Sequence, residues 1–294
     1  MKNRNFINKN SIPFIILGII HLFLLYRLIK AKKDKYKWML LLTNIGLAYL
    51  FEYFVLNLWK AYRYIPKVMN HRYLDNILGA IMSQALFVPI SATFLAVFKK
   101  GWKWKFGFTL GYFCIENLFL RLKVYKVNWW RPTYSFIFLN IYFVLSDVIY
   151  KLLTENKEWV LKTAHYFIVV VTDVNRMYVN AVRDKFWFGR GLFRSWNEHF
   201  IIAPLYSLVI SLVNILFSSQ TGMIYLPLNF LCNIVIDAAL VNSGLLKVKD
   251  NYLLKRILSH LFMIGLSRTL YQHVDKNSLK GEINLERISN INID

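Results

Sequence analysis

The sequence predicts an all-α fold, a polytopic membrane helix bundle of about nine spans, with one leading helix and two related four-helix units. Two observations predict this class. Hydrophobic residues make up 56% of the chain and charged residues only 18%, whereas soluble domains carry about 25% charged residues. The apolar residues also fall into blocks of about 18–25 residues, the length of helix that crosses a bilayer core. These features exclude a soluble globular domain.

The excess of lysine and arginine residues is expected to lie at the membrane interface. The formal net charge is +21, and the lysines and arginines lie at the ends of the apolar blocks, where they meet lipid headgroups. A nucleic-acid-binding surface is therefore not expected. The expected partner is the lipid bilayer, with other membrane proteins as a further option, and the expected location is the cell membrane.

The chain begins with a leading span and a basic loop, residues 1–37. A short basic start precedes an apolar block at about 12–29, and the lysine-rich stretch KAKKDKYK follows it. No small-residue cleavage site comes after the block, so it is predicted to be an uncleaved first span.

Two groups of four apolar blocks follow. The first unit, 38–153, is predicted to cross the membrane at 38–59, 74–98, about 104–122 and 132–153. The second unit, 158–271, is predicted to cross it at about 159–181, 199–217, 222–246 and 252–270. In the last block Arg256, His260 and Ser267 share one helical stripe, so this helix either lines the bundle or lies on the membrane surface. The final residues, 272–294, are predicted to form a polar tail.

Acids inside the apolar blocks repeat at a fixed interval, which indicates an internal duplication. The interval is 121 residues from Glu52 to Asp173 (173 − 52) and again from Glu116 to Asp237 (237 − 116). Acidic residues are rare in membrane helices, so a shared register among them is more informative than the similarity of apolar blocks. The leading span lies outside this repeat.

One pattern in the first unit resembles a known family. An acid late in a span (Glu116) is followed by a basic, aromatic segment that ends in a tryptophan pair (Trp129, Trp130), and then by another span. This resembles a family of small multi-pass membrane proteins from spore-forming Gram-positive bacteria. The resemblance covers 38–153 and, more faintly, 158–271. The family has no established activity, so the resemblance implies architecture and no chemistry.

The intramembrane acids are the candidate functional residues, because a carboxylate in hydrocarbon is costly unless it is paired, protonated or hydrated. One interpretation is structural, with ion pairs and helix caps: Arg121 and Arg176 lie close in sequence to Glu116 and Asp173, and Asp75 opens a helix. The alternative is a proton or small-cation path. The topology gathers the acids of such a path toward one side of the membrane: Glu52, Glu116, Asp173, Asp237, Asp75 and Glu198.

A second hypothesis concerns Asp147 and Arg268, which the 121-residue interval (268 − 147) places at equivalent positions with opposite charge. Equivalent positions near a two-fold axis face each other, so the two residues are candidates for an ion pair between the units. The alternative is that both lie near helix ends and reach water.

The sequence contains no phosphate-binding glycine loop, no nucleophile elbow, no cofactor motif and no ligand spacing typical of a metal site. An enzyme is therefore not expected, and neither a cofactor nor a metal is predicted. The expected function is a non-enzymatic scaffold or binding protein of the envelope. The alternative is a secondary transporter or channel for protons or small cations. The first requires a basic or amide partner for each acid, and the second requires at least two acids that face a shared cavity.

Overall fold

The computed structural model describes residues 6–31, 34–183, 186–190, 195–220, 222–248 and 253–272. Each of the nine predicted apolar blocks contains a helix within these residues, and the all-α class is confirmed. The block predicted at 222–246 is helical only over Tyr225–Asn242, and its last residue, Leu246, begins a strand. The predicted polar tail, from residue 273 onward, lies outside the described residues. The chain divides into two compact units, Met1–Thr154 and Glu155–Asp294.

The first unit consists of helices joined by short connections. Its helices are α1 (Ile12–Lys30), α2 (Lys35–Glu52), α3 (Arg72–Ile81), α4 (Val88–Val97), α5 (Trp102–Arg121) and α6 (Pro132–Thr154). A π-helical turn at Tyr53–Leu58 extends α2, and a second at Met82–Phe87 joins α3 to α4 into one continuous helix. Asp34 caps α2 by accepting a hydrogen bond from the Tyr36 backbone N–H at 2.8 Å, which satisfies one of the free donors of the first turn.

Within its described residues the second unit contains four helices, α7 (Glu158–Val182), α8 (Trp196–Ser218), α9 (Tyr225–Asn242) and α10 (Leu253–Leu270). Ser195 caps α8 by accepting from the Glu198 backbone N–H at 3.4 Å. The stripe of Arg256, His260 and Ser267 on α10 is buried inside this unit. The structure therefore favours the first of the two sequence alternatives for this helix, because the stripe faces other helices of its unit.

Each unit also contains one pair of short antiparallel strands, which the sequence did not predict. In the first unit β1 (Tyr62–Tyr64) pairs with β2 (Tyr125–Val127), and in the second β3 (Phe186–Phe188) pairs with β4 (Leu246–Val248). Side chains alternate across a strand, so the two rings of β3, Phe186 and Phe188, both point inward and are fully buried. Three-residue strands are too short for this period to be recognised in a sequence.

Six helical segments of the described residues are long and apolar enough to cross a membrane, which indicates a membrane protein. Charged side chains such as Lys105, Asp173 and Arg256 interrupt the apolar character of α5, α7 and α10. The six segments are Ile12–Lys30, Lys35–Leu58, Arg72–Val97, Pro132–Thr154, Trp196–Ser218 and Tyr225–Asn242.

Hydrogen bonds inside the first unit have counterparts inside the second, at positions about 121 residues further along the chain. Asn44 Nδ2 donates to Ser146 Oγ at 2.9 Å in the first unit. In the second, His165 Nε2 and Ser267 Oγ lie 3.4 Å apart, and both residues are 121 positions further along (165 − 44, 267 − 146). Two further hydrogen bonds of the first unit recur in the second at shifts of 121 to 124 residues. Ile65 N donates to Val124 O in the first unit, and Gly189 N donates to Leu245 O in the second. Tyr64 N donates to Asn76 Oδ1 in the first, and Phe188 N donates to His199 Nδ1 in the second.

The leading helix α1 is held to other helices of the first unit by a buried histidine. His21 Nδ1 donates to the Leu17 carbonyl at 2.7 Å, because a carbonyl can only accept. Its Nε2 atom is therefore an acceptor, and it lies 2.8 Å from the Tyr112 hydroxyl and 3.1 Å from the Ser91 hydroxyl. These contacts join α1 to α5 and α4.

The ends of α5 and α9 are equivalent turns with a left-handed residue. Lys123 has φ 57° and Gly244 has φ 71°, and the two are 121 positions apart (244 − 123). A residue with a Cβ atom is strained in this conformation by about 1–2 kcal/mol. A Cβ atom added at Gly244 meets no other atom within 4 Å, so only the backbone opposes a substitution there.

We therefore expect Gly244→Ala to lower the free energy of unfolding by about 1 kcal/mol. The measurement is the thermal unfolding midpoint of the purified protein in detergent. Gly265→Ala is the matched control, because Gly265 lies inside α10 and its added Cβ also meets nothing within 4 Å. In a helix interior alanine is better than glycine by about 0.5–1 kcal/mol, so the two variants should shift in opposite directions. Shifts of the same sign would contradict the backbone argument.

Candidate functional site

The acid of α9, Asp237, lies in a buried ion pair. Arg256 Nη2 donates to its Oδ1 atom at 2.5 Å, and Arg256 Nε donates to Oδ2, which makes the pair bidentate. The Tyr206 hydroxyl donates to Oδ1 and His260 Nε2 donates to Oδ2, both at 2.7 Å. The guanidinium carbon lies 5.2 Å from the centre of the Phe186 ring. Asp237 therefore holds α8, α9 and α10 together.

The acid of α7, Asp173, is also paired with an arginine. It is fully buried, and Arg176, one turn further along the same helix, donates to its Oδ1 atom from Nε at 3.0 Å. The same guanidinium donates to the Ser259 hydroxyl on α10. Two of the three predicted acids of the second unit, Asp173 and Asp237, are thus in ion pairs, as the structural interpretation requires.

The acid of α2, Glu52, is bonded by neutral groups. It is 6% exposed, and its Oε2 atom accepts from the Tyr62 hydroxyl at 2.6 Å and from Gln84 Nε2 at 3.0 Å. Burial raises the pKa of the Tyr62 hydroxyl well above its ordinary value. This hydroxyl therefore stays protonated and acts as the hydrogen-bond donor to Glu52. No lysine or arginine in the described part of the chain forms an ion pair with Glu52.

The acid of α5, Glu116, lines a cavity of about 320 Å³ inside the first unit. The Tyr125 and Ser135 hydroxyls interact with its carboxylate. Its Oε1 atom is buried and accepts no hydrogen bond from the described residues. Arg121, the cation nearest to it in sequence, is exposed at the end of the helix. Of the four acids, Glu116 is the one that lines this cavity, and no lysine or arginine of the described residues forms an ion pair with it.

The lining of this cavity is mostly apolar and aromatic. Phenylalanine, tyrosine and tryptophan rings from α1, α2, α5, α6 and both strands dominate it, and Glu116 is the only carboxylate among the described lining residues. Gln84 and Tyr62, the two partners of Glu52, also line it. Gln84 was not predicted as a site residue from the sequence. It lies in a π-helical turn, and such turns often occur at functional sites.

Asp75, at the start of α3, organises the preceding loop. Its carboxylate accepts from three successive backbone N–H groups, of Lys67 at 2.8 Å, Val68 at 2.7 Å and Met69 at 2.9 Å. The cap of α3 is instead His71, which accepts from the Tyr73 backbone N–H at 3.2 Å. The sequence suggested a helix cap for Asp75, and the structure shows a loop anchor, because the chain turns back over the carboxylate.

Glu198, the equivalent acid of the second unit, lies in the first turn of α8 against Gly189. A Cβ atom at Gly189 would lie 2.4 Å from Glu198 Oε2, so the glycine leaves the space that the carboxylate occupies. That Oε2 atom is buried and has no hydrogen-bond partner among the described residues.

Asp147, on α6, forms an ion pair with Lys105 on α5. Lys105 is buried, so this contact fixes α5 against α6 within the first unit. Arg268, its equivalent by sequence, lies in the last turn of α10. The hypothesis that Asp147 and Arg268 pair between the units stays a prediction.

Comparison with known proteins identifies no relative of this chain, so its function must be inferred from the geometry of the buried acids. No protein-family model, no curated protein and no solved structure matches the chain. The resemblance to membrane proteins of spore-forming bacteria stays an expectation. Within the described residues, no group of three or more His, Cys, Asp and Glu side chains is placed to hold a metal ion.

The geometry of the Asp237 pair predicts a large effect of removing its cation. We expect Arg256→Met to lower the free energy of unfolding by about 3–5 kcal/mol, because it leaves a buried carboxylate without a counter-charge. Chemical unfolding in detergent, followed by tryptophan fluorescence, measures this change. The double variant Asp237→Asn with Arg256→Met should regain most of the loss, since it buries no charge.

The matched control for this series is Lys162→Met. Lys162 pairs with Glu158 on the surface of α7, and both side chains are at least half exposed. A surface pair contributes only about 0–1 kcal/mol. An Arg256→Met variant as stable as Lys162→Met would contradict a structural role for the Asp237 ion pair.

Proposed function

We propose that this protein is a non-enzymatic, multi-pass protein of the cell membrane that acts as an envelope scaffold or binding protein. The observation that carries this proposal is the bidentate ion pair of Asp237 with Arg256. A carboxylate fixed by two guanidinium hydrogen bonds and a histidine is suited to joining helices. Asp173, paired with Arg176, supports the same role in the second unit. The lipid bilayer is the proposed partner, together with other membrane proteins.

We also infer that the two units arose by internal duplication and that all nine helical segments are membrane spans. The repeated contact between Asn44 and Ser146 and between His165 and Ser267 supports the duplication. So does the occurrence of one short antiparallel strand pair in each unit. Two interacting pairs of residues related by one constant shift are expected from two copies of one sequence and are rare between unrelated sequences.

The alternative function is a path for protons or small cations through Glu52, Glu116, Asp173 and Asp237. The cavity beside Glu116 favours it, because an intramembrane acid at a cavity is a common element of such paths. Against it, Glu116 is the only carboxylate among the described residues that line the cavity. In the second unit, Arg176 and Arg256 also form ion pairs with Asp173 and Asp237.

Ion flux distinguishes the two functions. We expect vesicles that contain the purified protein to pass protons and potassium ions no faster than empty vesicles, because paired acids do not form a continuous path. A pH-sensitive dye inside the vesicles measures proton entry after a membrane potential is imposed.

Glu116→Gln and Glu158→Gln are the matched pair of variants for this assay, because each removes one negative charge and Glu158 is exposed. A flux in the natural protein that Glu116→Gln abolishes and Glu158→Gln preserves would replace the scaffold proposal with the path.

A further inference from the structure

The two units differ at the positions that face the equivalent acids Glu116 and Asp237. In the second unit Arg256 and His260, on α10, contact Asp237. The residues 121 positions earlier are Ser135 (256 − 135) and Leu139 (260 − 139), on α6. Both of these line the cavity. Two basic side chains in one unit thus correspond to a hydroxyl and an aliphatic group in the other.

The difference leaves Glu116 without the counter-charge that Asp237 has. No lysine or arginine of the described chain forms an ion pair with Glu116, and its buried Oε1 atom accepts no hydrogen bond there. A buried carboxylate oxygen without a donor is costly. The site is therefore electrostatically suited to a cation that the described residues do not supply.

Aromatic rings surround this position in both units. In the second unit the Arg256 guanidinium lies 5.2 Å from the Phe186 ring centre and 5.4 Å from that of Tyr206. In the first, Tyr62 takes the place of Phe186 in the equivalent strand (186 − 62 = 124) and lines the cavity with Tyr125. Aromatic faces attract cations within about 6 Å, so the rings and the carboxylate favour the same charge.

The rest of the cavity is suited to an apolar group. Phe138, Ile141 and Leu145 on α6 line it and are 45%, 56% and 41% exposed. Because α6 is one of the six candidate spans, we expect the exposed apolar residues on it to face lipid. A volume of about 320 Å³ lies at the lower end of the range of small-molecule sites, about 300–1,000 Å³. A ligand that enters along α6 arrives from the hydrocarbon side and must itself be partly apolar.

We propose that this cavity binds an organic monocation with an apolar body. An ammonium or guanidinium group lies against Glu116, where Arg256 lies against Asp237 in the second unit, and the apolar body packs among the aromatic rings. This inference deepens the proposed binding function and rests on it. A neutral apolar molecule would leave the Glu116 oxygen without a donor, and a hydrated inorganic ion would leave the aromatic walls without a partner.

Two probes of nearly equal size and shape test the proposal on the full-length protein in lipid nanodiscs. Phenethylamine is a cation at neutral pH, and phenethyl alcohol is its neutral counterpart. We expect saturable binding of the amine by calorimetry, with an affinity about tenfold or more above that of the alcohol, since charge-assisted hydrogen bonds exceed neutral ones.

Three variants identify the site. Glu116→Gln should reduce the affinity for the amine by about tenfold or more and leave the affinity for the alcohol unchanged. Ser135→Arg places the cation of the second unit in the first, so it should abolish amine binding without lowering the thermal unfolding midpoint. Glu158→Gln, which removes an exposed charge, should bind the amine as the natural protein does.

Equal affinities for the amine and the alcohol would overturn the proposal, as would an unchanged amine affinity in Glu116→Gln or in Ser135→Arg. Absence of saturable binding of either probe would overturn it as well. None of these outcomes alters the flux assay or the stability of the Asp237 pair, so the site can fail while the scaffold function stands. A proton flux through Glu116 would instead replace the scaffold function.

Discussion

The cost of holding a carboxylate away from water constrains both units of this protein. An acid in a helix interior needs donors directed at it, because neither lipid nor apolar side chains can solvate its charge. The second unit supplies guanidinium groups, such as that of Arg256 to Asp237. The first supplies the ammonium group of Lys105 to Asp147. To Glu52 it supplies neutral donors, Tyr62 and Gln84. The short strands and the π-helical turns bring these neutral donors to the acid, so the irregular elements of the fold are tied to its buried charges.

Sequence reasoning recovers what depends on local properties. Span positions follow from length and hydropathy, and the block predicted at 132–153 is the helix Pro132–Thr154. The strands could not be predicted from the sequence. Three residues show no usable period, and each strand pairs with a partner that lies more than one helix away along the chain. The acids were recognisable because charge is rare in such blocks. The partner of Asp147 was not, because Lys105 lies 42 positions away and only helix packing brings the two together.

The candidate site shows the same division between local and non-local information. The sequence identifies Glu116 as an exceptional residue, but it cannot show that Ser135 and Leu139 leave space beside it. That conclusion needs the equivalent positions of the second unit, where Arg256 and His260 are large and basic. Two units with matching hydrogen bonds and different side chains act as internal references for each other. Under the proposed duplication, a difference in behaviour between the two units can be traced to the few side chains that differ at corresponding positions.

The π-helical turn at Met82–Phe87 has a consequence for the history of the chain. The shift between equivalent residues is 123 at Asn76 and His199 (199 − 76) and 121 at Glu116 and Asp237 (237 − 116). The first unit therefore carries two extra residues between these points. A π turn contains one residue more than an α turn, since its hydrogen bonds join residues five apart rather than four. Under the proposed duplication, the π turn accounts for one of the two extra residues. That residue was inserted into the helix without loss of its backbone hydrogen bonds. The same insertion rotates the face that α4 presents by about 100° relative to an uninterrupted α-helix.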